Sequence, residues 1–260
     1  MWISMDDREG HYFKVLMDEV LGRNKFVATV AWQKRYSREN REAIGDAHEY
    51  LFVYARSKER FKQTRNRVSL TEDQARIYKL GVEPYPNRRW RGIPMTAQGY
   101  RPNQMYEILA PGGKVHKPPT GRCWSMIEPE YLKLKAAGRI YFGKNNNGQP
   151  NEVRFLDEVE GFVPWTWWPH GEVGHTDEAK KEIHALFGKA DAFDTPKPER
   201  LIRRVIEIAS NAGEVVLDCF LGSGTTAAVA HKMGRRYIGV EMGDHAMSHC
   251  APRLKKVIDG

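Results

Sequence analysis

Within nine residues, Asp218-Cys219-Phe220-Leu221-Gly222-Ser223-Gly224-Thr225-Thr226 bring together an acid, two glycines and three hydroxyls. Residues of these types at this spacing suit cofactor binding. Glycines at 222 and 224 let a ligand approach the backbone without interference from Cβ. A helix opening at Thr225 would aim its unpaired N–H groups at that ligand. In doubly wound α/β sheets, a strand-turn-helix corner of this kind is where nucleotide-like cofactors bind. The turn has no lysine, which excludes a phosphate-cradling P-loop. Gly222-x-Gly224-x-x-Ala227 fits a dinucleotide fingerprint, and Glu241 ends a later strand-like run. Asp218, however, sits at the ligand end of the first strand, where a pyrophosphate would meet a like charge. The same carboxylate favours an ammonium and a sulfonium, so the expected ligand is S-adenosylmethionine (SAM). Glu241 is then placed to accept the ribose hydroxyls.

The elements that must position these groups are legible around them. Val215-Val216-Leu217 reads as a buried strand, and Ala227 to Ala230 continue the helix opened at Thr225. Upstream, Thr195-Pro196 supplies a capping hydroxyl and a first-turn proline for another helix. Its expected buried stripe is Leu201, Ile202, Val205, Ile208 and Ala209, and Asn211-Ala212-Gly213 stops it. At the other end of the chain, residues 1–5 read as a strand. Asp6 with Glu9 forms a capping-box pattern, and a helix follows to Gly22. Runs at 26–33 and 50–55 read as strands, with residues 34–46 as a polar, basic loop between them. A polar helix from about 243 to 257 should kink at Pro252. It carries His245, His249 and Cys250, which lie close in sequence. No further ligand is near, so they are expected to form an exposed helix face, and no metal is expected.

Asp218-x-Phe220-x-Gly222-Ser223-Gly224-Thr225-Thr226, preceded by Phe193-Asp194-Thr195-Pro196-Lys197-Pro198-Glu199-Arg200-Leu201, resembles the DNA amino-methyltransferases. The order of the two segments is similar to the subgroup with its cofactor half at the C-terminus, which includes type III restriction-modification methylase subunits. The resemblance implies an α/β, Rossmann-like SAM-dependent methyltransferase sheet with an inserted target-recognition region. It also implies transfer of the SAM methyl group to an exocyclic amine of a flipped base, with adenine-N6 favoured over cytosine-N4. Cofactor contacts are expected from Thr195, Lys197, Pro198, Asp218, Phe220, Gly222, Ser223, Gly224, Thr225 and Glu241. Asp6 and Asp7 resemble acids bordering the active-site cleft, although Asp6 can equally cap its helix. His48 and Tyr50 resemble a His-x-Tyr strand near the target-base pocket, although Tyr50 can equally be core.

The implied organisation is 1–55 as the end of the catalytic half, 56–190 as the insertion and 191–260 as the SAM-binding half. The insertion is rich in basic residues with tryptophan and tyrosine interleaved. Lys34, Arg35, Arg65, Arg67, Arg88, Arg89 and Arg91 are candidate phosphate contacts, while most of the tryptophans are expected to build a small core. Lys and Arg number 41 against 33 Asp and Glu, a net charge of +8 that favours a polyanionic partner, here double-stranded DNA. Three cysteines, none in C-x-x-C spacing, argue against a disulfide framework or structural zinc and fit a reducing cytoplasm. No run approaches the length of a membrane span.

One expected feature is missing. The resembled family carries its chemistry on an Asp/Asn/Ser-Pro-Pro-Tyr/Phe tetrad, and no such string occurs in the 260 residues. Val82-Glu83-Pro84-Tyr85 and Ile127-Glu128-Pro129-Glu130-Tyr131 come nearest, and both read as turns. The expectation is therefore an incomplete sheet, completed by an upstream polypeptide that supplies the tetrad. A restriction subunit or a second methylase subunit are further expected partners. Two alternatives stay open at this point. One is a non-catalytic DNA- or SAM-binding module, and the other is an NAD-dependent oxidoreductase, disfavoured by Asp218.

Overall fold

The structure is a computed structural model, and it describes residues 1–38, 43–70, 72–189 and 193–260. The chain divides into two compact units, 1–68 with 163–260, and 69–162. The second unit is narrower than the 56–190 span read from composition. The boundary expected at 190/191 lies outside the described residues, as do residues 39–42 of the basic loop.

The first unit contains a four-stranded sheet in the order Trp2–Met5, His48–Tyr54, Phe26–Gln33, Trp167–Trp168. His48–Tyr54 pairs antiparallel with both Trp2–Met5 and Phe26–Gln33, and Trp167–Trp168 pairs parallel to Phe26–Gln33. His48–Tyr54 is central because it is apolar on both faces, with Leu51 through Tyr54 all buried. Alternation along the strand sends Leu51 and Val53 to one side, where they join Val30, Trp32, Trp168, Leu201 and Ile208 in the main core. Phe52 and Tyr54 take the other side, against helix Gly10–Met17, with Phe13 and Phe52 rings 6.3 Å apart. Leu201 has no exposed surface at the centre of this core. Leu201→Ala is expected to cost about 2–5 kcal/mol of unfolding free energy, read as a shift in the urea midpoint at unchanged slope.

Several boundaries differ from expectation, each for a local reason. The capping box at Asp6 does not form. The Asp6 carboxylate instead accepts the Arg8 N–H at 3.1 Å, a short turn that delays the helix to Gly10. The helix then widens into a π-turn over Asp18–Gly22, and Gly22 ends it at φ +97°. Thr195-Pro196 does not open the next helix, which runs Glu199–Ala209 with Pro198 as its N-terminal flanking residue. Two prolines, 196 and 198, keep the backbone extended until the second has passed. Its buried residues are Leu201, Ile206 and Ile208, while Ala209 is exposed. Pro252 does not lie in the interior of one regular helix but in the first turn of helix Ala251–Asp259, directly after a π-helical turn over Ala246–Cys250.

Strand Val215–Asp218 pairs parallel with Arg236–Gly239, joined by helix Thr225–Lys232. Val216 and Tyr237 pack on Ile206, Val229 and Ala230 on one face of this pair. The opposite face carries Val215, Leu217 and Ile238, each about half exposed. Among the described residues, this pair and the four-stranded sheet are separate sheets.

The unit 69–162 contains a three-stranded antiparallel sheet, Trp90–Pro94, Asn151–Phe155 and Ile140–Tyr141, together with two short ribbons. It has two small cores, one around Met95, Ile108, Trp124 and Tyr131 and one around Trp90, Val153 and Phe155. Trp90 and Trp124 are core residues of this unit, as expected of the insertion's tryptophans, whereas Trp168 is buried in the core of the first unit and Trp165 and Trp167 are about half exposed. Ile127-Glu128-Pro129-Glu130-Tyr131 is not a turn. It opens helix Glu128–Ala136, with Pro129 in the first turn and Tyr131 buried. No helix among the described residues is long and apolar enough to cross a membrane.

Candidate functional site

The corner begins at Asp218, the last residue of its strand. Its carboxylate accepts the Phe220 N–H at 3.0 Å, which turns the chain sharply and leaves most of its acceptor capacity unspent. Gly222 and Gly224 both adopt positive φ, +58° and +79°. At Gly224 an added Cβ would lie 3.1 Å from the Cys250 Cα, so the turn rests directly on the following π-helical segment. Glu241 closes the site from just beyond the end of the neighbouring strand Arg236–Gly239. One carboxylate oxygen accepts the Gly222 N–H at 2.7 Å and the other the Gly243 N–H at 3.0 Å. Those backbone hydrogen bonds hold the Glu241 carboxyl below its ordinary range, so it is anionic at neutral pH. Phe220 and Met242 stand almost wholly exposed at the rim. Two carboxylates, positive-φ glycines and an exposed aromatic ring fit a cationic nucleoside better than a pyrophosphate.

Ser223 and Thr225 are placed differently from expectation. Both are buried, with their hydroxyls 3.0 Å apart, and they brace the turn from within. Thr195 is exposed, and Pro198 is buried against Gly174. Lys197 reaches back to the four-stranded sheet. Its ammonium lies 2.9 Å from Glu49 and 5.5 Å from the Trp32 ring centroid.

That sheet end gathers the remaining candidates. His48 Nε2 lies 3.1 Å from the Tyr50 hydroxyl, and Tyr50 also bonds Asp7. Burial, with the bond to Asp7, pushes the Tyr50 hydroxyl above its ordinary value, so it stays protonated and donates to the carboxylate. His48 must then donate its Nε2–H to the tyrosine oxygen. Asp7, Asp46 and His48 present ligand atoms within 4.8 Å of one another. Asp46 is already neutralised by the Lys34 ammonium at 2.6 Å. Lys34 is buried between Asp46 and Glu49, which gives it a role in holding the sheet end. Asp6 stays in its local turn. Sequence reasoning missed Asp46 and Glu49 because neither belongs to a motif. Only the antiparallel register brings Glu49, opposite Trp32, to the lysines.

The remaining basic candidates fall in both units. Arg35 and Arg67 are exposed in the first, and Arg65 is half-buried at the end of helix Lys58–Thr64. In the second, Arg88 pairs with Asp157 at 2.6 Å and stacks 3.5 Å over Phe155. Arg89 donates to the carbonyls of Tyr78 and Ala75 and pairs with Glu72 at 3.0 Å. Arg91 lies 5.3 Å over the Tyr78 ring, with its Nε buried and unpartnered. These three arginines knit their unit together.

Arg253 and Glu199 were not anticipated either. Burial opposes ionisation of Glu199, but hydrogen bonds from Lys232 and Arg253 outweigh it and hold the carboxyl below its ordinary value near 4.5. A depressed folded value contributes stability that is present above the unfolded value and is lost as pH falls through the folded one. Glu182 has the opposite sign, because burial raises it. The Glu199 part is isolated by Glu199→Gln. The stability gap between wild type and this variant, from thermal melts, is expected to be constant from neutrality down to about pH 5 and to close below it.

Strand, acid, positive-φ glycines and second acid define an α/β cofactor-binding protein of the adenosyl type. Comparison with known proteins sharpens that class. A family profile described as DNA methylase matches residues 1–251. The Mod subunit of the type III restriction-modification enzyme StyLTI of Salmonella typhimurium is 36% identical over 234 residues, covering 87% of this chain and 34% of that protein. The probable HindVI Mod subunit of Haemophilus influenzae is 26% identical over 321 residues, covering 100% of this chain and 41% of its own length. The type II methyltransferase M1.MboII of Moraxella bovis is 44% identical over 84 residues, 29% of this chain and 32% of its own. The chain belongs to the DNA methylase family, and SAM is the cofactor that goes with that membership. The oxidoreductase alternative falls with it. The chain spans about a third to less than half of the length of the first two relatives.

Proposed function

We propose that this chain carries the cofactor site and the target-recognition insert of a site-specific DNA methyltransferase in a restriction-modification system. Adenine-N6 is its favoured target. The observation that supports this best is the Asp218–Gly224 turn closed by Glu241, within a family match that covers nearly the whole chain. Asp218 would take the ammonium end of SAM, and Glu241 would accept the ribose hydroxyls. Lys197, tied to Glu49, would border the methionine end, with the buried Pro198 behind it. Bound there, SAM supplies an electrophilic methyl group for direct transfer to an amine. The chain's own work is to hold and orient. The His48–Tyr50–Asp7 chain, at the mouth of the neighbouring sheet, would border the target base.

The tetrad that would grip the target amine is absent from these 260 residues. The half-exposed face of Val215, Leu217 and Ile238 supports completion by a further polypeptide segment that pairs with or packs on it. That segment would bring the tetrad, and a restriction subunit or second methylase subunit would assemble around the whole. The same absence supports a second reading, in which the chain by itself binds SAM and DNA without turnover. Isothermal titration with SAM and with NAD, followed by transfer of labelled methyl groups to plasmid DNA, tests both. SAM binding without NAD binding is expected, and methyl transfer is expected only when the completing segment is co-expressed. No SAM binding would overturn the assignment.

For DNA, the net charge of +8 predicts salt-sensitive binding. A protein that neutralises about six phosphates loses about a thousandfold in affinity between roughly 50 and 200 mM salt. A duplex-binding titration should show a steep fall of this order. Arg35→Ala and Arg67→Ala are expected to reduce the slope, each by about one.

A further inference from the structure

Arg253 is 1% exposed, and a guanidinium cannot shed its charge to escape burial. A charge in such a place must be paired, and hydrophobic replacements of buried ion pairs are often as stable or more so. Stability alone therefore does not account for an arginine here, still less because its Nε has no partner. What its other nitrogens do is specific. Nη1 donates to the Thr225 hydroxyl at 3.0 Å and to the Ser223 carbonyl at 3.4 Å, so it grips the glycine turn from beneath. Nη2 donates to Glu199 at 2.9 Å. Glu199 also takes the Lys232 ammonium at 2.8 Å, from the helix that the turn opens. Its backbone N–H, the first of its own helix, is held by the Glu182 carboxylate at 3.1 Å. Next to Arg253 on the same C-terminal segment, the Cys250 thiol donates to the Gly222 carbonyl at 3.1 Å.

We propose that Arg253 is a positioning residue. It locks the Ser223–Thr225 turn to Glu199, so that the turn and the adjoining Lys197–Pro198 segment hold one geometry. Glu199 and the Ser223–Thr225 turn are 24 or more residues apart in the chain, and Arg253 hydrogen-bonds both. Its role in cofactor affinity rests on the SAM reading above, but its role in coupling the segments does not.

Hydrogen-deuterium exchange on the whole chain, without ligand, tests the coupling directly. Arg253→Met is expected to raise exchange about tenfold in peptides spanning 220–227 and 195–201 together, with strand His48–Tyr54 unchanged. Arg253→Lys, which keeps a donor and the charge, is expected to restore part of the protection. Equal exchange at the turn in wild type and Arg253→Met overturns the proposal. So does a rise of the same factor in His48–Tyr54, which marks a merely structural arginine. If Arg253→Met does not fold, Thr225→Val removes both the acceptor of Arg253 and the contact with the Ser223 hydroxyl, and Ser223→Ala removes the latter alone. Thr225→Val is expected to give a smaller rise confined to the same peptides and larger than that of Ser223→Ala, and no such excess overturns the proposal. Titration with SAM then reads the consequence. Affinity is expected to fall about tenfold in Arg253→Met and to hold in Arg204→Met, which breaks the Arg204–Glu172 pair elsewhere in the unit. A wild-type chain that binds no SAM defeats the cofactor reading, while the exchange result still decides the coupling.

Discussion

Gly224→Ala is expected to weaken SAM binding by about thirtyfold and to leave the fold intact. Gly224 sits at φ +79° and ψ 10°, the left-handed region, where an L side chain costs about 1–2 kcal/mol. The added Cβ would also lie 3.1 Å from the Cys250 Cα and 3.6 Å from the Arg253 Cδ. The first contact is with backbone and cannot rotate away, so the turn itself must move. About 2 kcal/mol of distortion at a preorganised site converts to about thirtyfold in affinity. Isothermal titration measures the loss, and circular dichroism checks the helices. Gly234, also at positive φ but with open space around it, is the control, and Gly234→Ala is expected to leave SAM affinity unchanged. Unchanged SAM affinity in Gly224→Ala would mean that the ligand does not depend on this backbone.

Asp218→Asn is expected to reduce SAM affinity ten- to a hundredfold with almost no change in stability. Asparagine keeps the side-chain oxygen that accepts the Phe220 N–H, so the chain can turn as before. What it removes is the negative charge, and hydrogen bonds to charged groups are worth about 1.5–3 kcal/mol. A nearly isosteric change thus separates the role of charge from that of shape. The two readings of the turn predict opposite signs. A pyrophosphate ligand would bind better to the asparagine variant, and an ammonium-bearing one worse. Titration of wild type and Asp218→Asn with SAM and NAD decides the sign.

The glycine turn was legible because its requirements are local. Gly222 and Gly224 need no partner in the chain to announce positive φ, and Asp218 announces charge. The tryptophan core and the strands flanking the basic loop were legible for a similar reason, since alternation and apolar runs are properties of short windows. The helix starts were less so. Asp6 and Thr195 both carry a valid capping signal, yet a carboxylate turn at Arg8 and a second proline at 198 shifted the helices to Gly10 and Glu199. Competing local bonds of similar strength settle such cases, and a pattern of residue types does not rank them.

By itself, then, the sequence determined the cofactor turn, its charge and the family, all of which rest on residue types within short segments, whereas its 56–190 insertion contrasts with a compact unit at 69–162. Tertiary structure alone decided the partners of the charged side chains. Lys34, read as a DNA contact, is tied to Asp46 and Glu49, and Arg88 and Arg89 brace their own unit. Arg253, unremarkable in a polar C-terminal helix, is the buried grip beneath the turn. Charge is visible in a sequence, but the opposite charge that claims it is brought close only by the fold.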